Sequence, residues 1–332
     1  MSKTLDVVLL LALPASGKSE VRKFLDWLPE KRLREEFHIG RTLQLDDYPY
    51  VHFMHVIDDL LAQCGQDFVF YRGPDRPFQD GREWQTLVEL LNEDFDDLIH
   101  GRTHAPVSAA QLLFDRLDAA REKAGFPDRL GQLPYRVRCD MAASMESDCR
   151  TDLEARNAQC RQSVEGRTIF IEMARGGPNG AAFPLTPPQG YEFALSKLSG
   201  DILDRAGILY VWVTPEDSRR KNIERGIPGE QASILHHSVP MEVMLGEYGC
   251  DDMEYLVRQS DVPDTVKSWR IVTVPGPDGT SRYSVKTWHL PVARFDNRAD
   301  LTSFIRDKEW NPADVARMEA ELKRALGLLT AR

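Results

Sequence analysis

The sequence lacks the features that mark several protein classes. No apolar run approaches the length needed to cross a bilayer, so no membrane anchor is expected. Cysteine is scarce and unpatterned: Cys64, Cys139, Cys149, Cys160 and Cys250 are odd in number and form no CxxC pair. That argues against a disulfide framework and a structural zinc site, and it points to reduced thiols in a cytoplasmic protein. Positive charge is also short. Lys and Arg total 42 against 52 Asp and Glu, a formal net charge of -10, whereas general nucleic-acid binding draws its affinity from neutralised phosphates. A local basic groove stays open. The His52/His55 and His236-His237 pairs lack the spacing and neighbouring carboxylates of a metal site. Internal repeats and low-complexity segments are missing too. The apolar content of 42% over 332 residues is enough for a sizeable core, in one elaborated domain or two small ones.

What is present centres on LDVVLLLALPASGKSE, Leu5 to Glu20. Val7 to Leu13 reads as a strand buried on both faces, as in a parallel sheet. It stops at Pro14, passes Ala15 and Ser16, and reaches Gly17-Lys18-Ser19. Val21, Phe24, Leu25 and Leu28 then recur at helical spacing. Strand, small-residue loop, GKS and helix form a phosphate-binding pattern, in which backbone N–H groups and the helix N-terminus wrap a polyphosphate. Lys18 would reach the terminal phosphates and the Ser19 hydroxyl would hold Mg²⁺. Ala12 stands where the full pattern has its first Gly, so the loop entrance must tolerate a Cβ. The rival reading is a secretion signal, with Lys3 as its charged head and Ala15-Ser16 near a cleavage point. It is disfavoured by Asp6 beside the core, by the shortness of the core, and by the GKS that follows at once.

Carboxylates end two further strand candidates. The strand around Leu43 and Leu45 runs into Asp46-Asp47-Tyr48, where a base could take the proton of an attacking hydroxyl; the alternative is an Asp pair capping a helix from His52 to Leu61. GRTIFIEMARGG places Ile169 to Ile171 before Glu172, with Arg175 three residues on. From about Tyr50 to Glu165 the chain reads as a mainly helical insertion. Trp84, Leu87, Leu91, Phe95 and Leu98 mark one helix, a second opens at Ser108 and closes at Gly125, and a third covers Met141 to Val164. Its loop with Tyr71, Arg72, Arg76, Phe78, Arg82 and Trp84 could grip a substrate or be packed by its own aromatics. The turn-rich GGPNGAAFPLTPPQG could form a lid or a substrate edge. After a strand from Ile208 to Val213, the helix TPEDSRRKNIERG sets Lys221 and Arg225 on one face after Arg219 and Arg220. Like charges at that spacing repel, so either an anion answers them or the face is simply solvated. A hairpin of Trp269–Val274 with Tyr283–His289, a last core strand Val292–Phe295 and a helix opened by Asn311-Pro312 complete the chain.

The order of these motifs resembles the P-loop kinases, the superfamily of adenylate kinase, uridine kinase and the zeta-toxin-like kinases. PASGKSE is similar to their phosphate loop, LDDY to a uridine-kinase acidic motif, FIEMAR to a zeta-toxin segment, SRRKNIER to a lid helix and FDNRADLTSF to the loop beside the adenine. The resemblance covers about half the chain. It implies a three-layer α-β-α fold with a parallel five-stranded sheet and a core of residues 1–49 and 166–332; the 50–165 insertion and the hairpin resemble no known family, and the insertion is expected to serve as substrate or lid region. The resemblance implies ATP and Mg²⁺ as cofactors, with Pro14 to Glu20 and Asn297 at the nucleotide and Ser19 and Glu172 at the metal. Asp46 becomes the base, Lys18, Arg220 and Arg225 stabilise the transferring phosphoryl group, and Asp47 and Arg175 face a small-molecule acceptor; Arg72, in the insertion, is a substrate candidate from its loop's makeup alone. A nucleotide-dependent switch using the insertion to bind a protein partner is the second expectation, and a zeta-toxin-like kinase is a variant of the first.

Overall fold

In the computed structural model, which describes residues 4–225, 238–275 and 280–330, the apolar runs become a sheet covered by helices on both faces. Along the chain, β1 (Val7–Leu11) leads to α1 (Lys18–Trp27), α2 (Glu30–Glu36) and β2 (Thr42–Asp46). The inserted region follows as α3 (Tyr48–Gln63), α4 (Glu83–His100), α5 (Ala109–Lys123) and α6 (Tyr135–Cys160). Then come β3 (Thr168–Met173), α7 (Gly190–Lys197), α8 (Gly200–Leu203), β4 (Ala206–Trp212) and α9 (Pro215–Arg225). The chain closes with α10 (Met241–Gly246), α11 (Met253–Gln259), β5 (Thr265–Pro275), β6 (Ser281–Asp296) and α12 (Pro312–Thr330). None of these helices is long and apolar enough to cross a membrane.

The sheet has six strands in the order β2-β3-β1-β4-β6-β5, not five. The first five run parallel and β5 is antiparallel to β6. The expected hairpin and the expected last core strand are one element, because β6 runs unbroken through Pro291. Residues 281–291 pair with β5, and 292–296 pair with β4. Pro291 sits at that exchange of partners, where a missing N–H costs the ladder least.

Alternation along β1 divides the core. Val7, Leu9 and Leu11 face α4, α7 and α8, while Val8 and Leu10 face α1, α2 and α12. Helix α4 has two working faces: Val88, Leu91, Phe95 and Leu98 pack on the sheet, while Trp84, Leu87 and Leu90 join the core of the inserted helices. The segment 50–165 therefore shares a helix with the main core. Within it, α6 buries a narrow stripe of Met141, Met145, Cys149 and Leu153, four residues apart along an otherwise polar helix.

Parallel register sets the carboxyl ends of β1, β2 and β3 side by side. Asp46 lies directly across from Glu172, and Glu172 across from Leu10. Crevices at such strand ends are where open α/β sheets bind ligands.

Candidate functional site

The loop from Leu13 to Gly17 leaves β1 and turns into α1. Its left-handed residues are Ala15 (φ 55) and Gly17 (φ 105). Ala12 keeps negative φ, so a Cβ there is no obstacle to the loop. At Gly17 it would be: a Cβ would lie 2.5 Å from Thr302 Oγ1 and 2.6 Å from Asn297 Nδ2. Those two side chains brace the loop from below. Asn297 Nδ2 donates to the Ser16 carbonyl at 2.6 Å and to Thr302 Oγ1 at 2.8 Å, and Ser218 Oγ donates to the Pro14 carbonyl at 2.7 Å.

Lys18 is buried, and its Nζ donates to the Ala12 carbonyl at 3.1 Å. Among the described residues it has no carboxylate within ion-pair distance. Burial lowers its pKa, opposed by the field of Glu172, Asp46 and Asp47. The buried Ser16 Oγ also lacks a hydrogen-bond partner among the described residues. A buried cation and an unused hydroxyl in a loop braced from behind are the polar surface that an anion would complete.

Facing them are the strand-end carboxylates. Arg22, one turn after Lys18 on α1, donates to Glu172 Oε2 at 2.6 Å and to Asp46 Oδ2 at 3.1 Å. Burial raises the pKa of both Asp46 and Glu172 and Arg22 opposes the rise at each; Asp47 adds to it at Asp46, and Asp46 adds to it at Glu172. The Tyr48 N–H also donates to Asp46 Oδ1 at 2.9 Å. Asp47 turns the other way and accepts from Arg175 Nη1 at 2.6 Å.

These groups border a cleft of about 450 Å³ that runs from the loop, past Asp46, Asp47 and Glu172, to a wall formed by α3, the 68–82 loop and the region of α10. Ser19 and Arg225 also line it. Among the described residues no three His, Cys, Asp or Glu side chains form a metal cluster, so a cation here would draw on Ser19, one or two of these carboxylates and ligand oxygens, as Mg²⁺ commonly does.

Several expected site residues lie elsewhere. Arg220 is exposed and paired with Glu224 at 2.7 Å and Asp217 at 3.2 Å, so it belongs to a solvated face. The charge run on α9 is answered within the protein: Arg219 by Glu216, Lys221 by Asp300, and Arg225 by Glu20. Of that run, Arg225 alone is among the residues lining the cleft. Glu20 is fully buried between Arg225 and Arg306; burial raises its pKa, and the two guanidinium groups outweigh that and lower it. It anchors Arg225 and does not line the cleft. Asn297, expected beside a base, is also fully buried and acts on the loop backbone. Arg175 is 2% exposed, behind Asp47 and stacked 4.8 Å from the Trp84 ring, so it orients Asp47 and stays out of the lining. Arg72 is exposed beyond the lining residues. The GGPNGAAFPLTPPQG segment pairs at Gly177 with Cys250 and does not border the cleft.

The aromatics of the 68–82 loop both pack among themselves and line the cleft. Tyr71 stacks on His55 at 3.7 Å and on Phe78 at 4.7 Å, and Phe78 meets Trp84 edge-on at 5.0 Å. The loop's arginines point elsewhere, Arg82 to Asp80 and Arg76 to Glu242. Asp58 organises the loop by accepting from the N–H groups of Val69 at 2.7 Å, Phe70 at 3.1 Å and Tyr71 at 2.8 Å.

Sequence reasoning missed Arg22, Asp58, Glu247 and Tyr248. Only Arg22 carried a signal, its i+4 spacing from Lys18. Glu247 accepts from Trp84 Nε1 at 2.6 Å, and burial pushes its carboxyl up to about 6. In comparisons with known proteins, the chain matches no family model, no curated protein and no solved structure.

Proposed function

We propose that the protein is an ATP-dependent phosphotransferase of the P-loop kinase type, acting on a hydroxyl of a small molecule. One juxtaposition carries this reading: buried Lys18, which makes no ion pair among the described residues, stands in a braced loop after β1 and faces Asp46 and Glu172 across one cleft. The loop N–H groups, Ser16, Lys18 and Ser19 would hold the triphosphate, and Ser19 with Glu172 would hold Mg²⁺. Bound Mg·ATP supplies the transferable phosphoryl group and neutralises its charge.

The remaining work falls to the chain. Asp46, a stronger base than an exposed carboxylate because it is buried, takes the proton of the acceptor hydroxyl as that oxygen attacks. Arg22 fixes the direction of both carboxylates. Arg225, held by Glu20 at 3.1 Å, offers positive charge at the loop end of the cleft. The enclosing wall limits water and so limits wasteful hydrolysis. A partner-driven switch would call for an apolar surface on 50–165, where the exposed large hydrophobics are the separated Val107 and Tyr135.

The test is ADP release with Mg·ATP and a panel of hydroxyl compounds. Stimulation by one acceptor class, abolished in Lys18→Ala and lowered about a hundredfold or more in Asp46→Asn with ATP affinity retained, is expected. Turnover unchanged in Lys18→Ala would refute the assignment.

A further inference from the structure

Past Asp46 and Asp47 the cleft changes character. The cations among its described lining residues are Lys18 and Arg225, both at the loop end. Beyond them the lining carries the carboxylates of Asp59, Asp75 and Glu247. His55 adds no positive charge at neutral pH, because burial holds its imidazole below the usual range despite the opposing fields of Asp59 and Asp75. Two other arginines, Arg175 and Arg72, act on Glu247 from outside the lining and favour its ionised form, though burial still outweighs them. Arg175 lies behind Asp47, already paired with it, and Arg72 lies outside the lining.

The walls at this end are aromatic. Tyr48, His55 and Tyr248 keep partly open ring surface, while Tyr71, Phe78 and Trp84 back them in a continuous stack. Ring faces and unpaired carboxylate around one cavity attract organic cations and repel anions. Trp84 engages one oxygen of Glu247, which fixes the carboxylate's direction without neutralising it. An acceptor already bearing phosphate or carboxylate would meet the carboxylates of Asp59, Asp75 and Glu247 as like charge.

We propose that the acceptor is a small hydroxyl compound carrying a protonated amine, seated between Tyr48, His55 and Tyr248 with its cation toward Glu247, Asp59 and Asp75. The proposal rests on the phosphotransferase reading of the same cleft, yet it concerns binding and can be tested without turnover.

Calorimetry on the full chain would compare two scaffolds, each in a cationic, a neutral and an anionic form. The probes are glucosamine, N-acetylglucosamine and glucose 6-phosphate, then phenylalaninol, N-acetylphenylalaninol and phenyllactate. At least one amine is expected to bind about tenfold or more tighter than its neutral and anionic counterparts. Glu247→Gln should remove about tenfold of that affinity and leave the neutral compound unaffected, and Glu247→Asp should restore part of it. An equal or reversed order in both scaffolds, no amine binding at millimolar concentration, or an amine affinity indifferent to Glu247→Gln overturns the proposal. ATP binding is titrated separately in wild type and Lys18→Ala. Loss in Lys18→Ala together with an anion preference sinks the amine proposal alone. Amine preference with no ATP binding sinks the phosphotransferase reading alone.

Discussion

Replacing Gly17 by Ala tests the loop as a built object, independent of any ligand. Two costs add. The backbone at Gly17 has φ 105 and ψ 12, outside the region that residues with a Cβ readily adopt, which costs about 1–2 kcal/mol. The new Cβ would also lie 2.5 Å from Thr302 Oγ1 and 2.6 Å from Asn297 Nδ2, so something must shift. Asn297 has little room, being fully buried and tied to Ser16, Thr302 and the Leu301 N–H. Moving it breaks the 2.6 Å bond to the Ser16 carbonyl and strands a buried donor, which costs about 1–3 kcal/mol. The sum is about 2–5 kcal/mol, a large share of a typical domain's stability of roughly 5–15 kcal/mol. Urea unfolding of wild type, Gly17→Ala, Asn297→Ala and the double variant measures it. With Asn297 already truncated, Gly17→Ala should cost less by about 1 kcal/mol or more, because part of the clash is gone. A cost below about 0.5 kcal/mol, or the same cost in both backgrounds, would refute the bracing of the loop.

Other consequences follow from buried carboxylates. Asp251, bonded by Tyr210 Oη at 2.8 Å and the Met253 N–H at 3.0 Å, is pushed by burial from 3.8 up to about 6. The folded state therefore holds a proton that the unfolded state has lost, and stability falls as pH rises from about 4 to about 6, by on the order of 2 kcal/mol. Asp251→Asn keeps the shape without the titration, so unfolding curves across that range should flatten relative to wild type; identical slopes would contradict the shift. Asp58→Ala leaves three backbone N–H groups of the 68–82 loop without their acceptor and should cost about 2–4 kcal/mol or loosen the loop, seen as faster hydrogen exchange at Val69 to Tyr71. Unchanged exchange there would show that the aromatic stack alone holds the loop.

The parts of the site legible in the sequence are those written locally. The strand from Val7, the GKS turn and the apolar helix face of α1 lie within one stretch, and Asp46 and Glu172 each end a short apolar run. Their meeting across the β2–β3 register needed only that both strands be parallel neighbours. The i+4 spacing of Arg22 from Lys18 was too weak a signal, because a long cation on an amphipathic helix usually faces water and only the fold shows the two carboxylates it meets. The α9 cations misled for a related reason: their repulsion is real, but Asp300 and Glu20 answer Lys221 and Arg225 from places that helical spacing does not report. Trp84, Glu247 and Tyr248 meet across more than 160 residues of chain, so no local pattern could join them. The hairpin ending at His289 and the core strand from Val292 read as two elements in the sequence, yet Pro291 between them falls where one continuous strand, β6, changes partner.

The most direct measurement of the central claim is equilibrium binding of Mg·ATP to wild type, Lys18→Ala and Arg220→Ala. Lys18 should bind the phosphates as a buried, charge-assisted donor, whereas Arg220 sits on a solvated face already paired with Glu224 and Asp217. The account predicts a loss of about tenfold to a hundredfold in Lys18→Ala, and an Arg220→Ala affinity within about twofold of wild type. Equal affinity in wild type and Lys18→Ala, or a loss confined to Arg220→Ala, would contradict it.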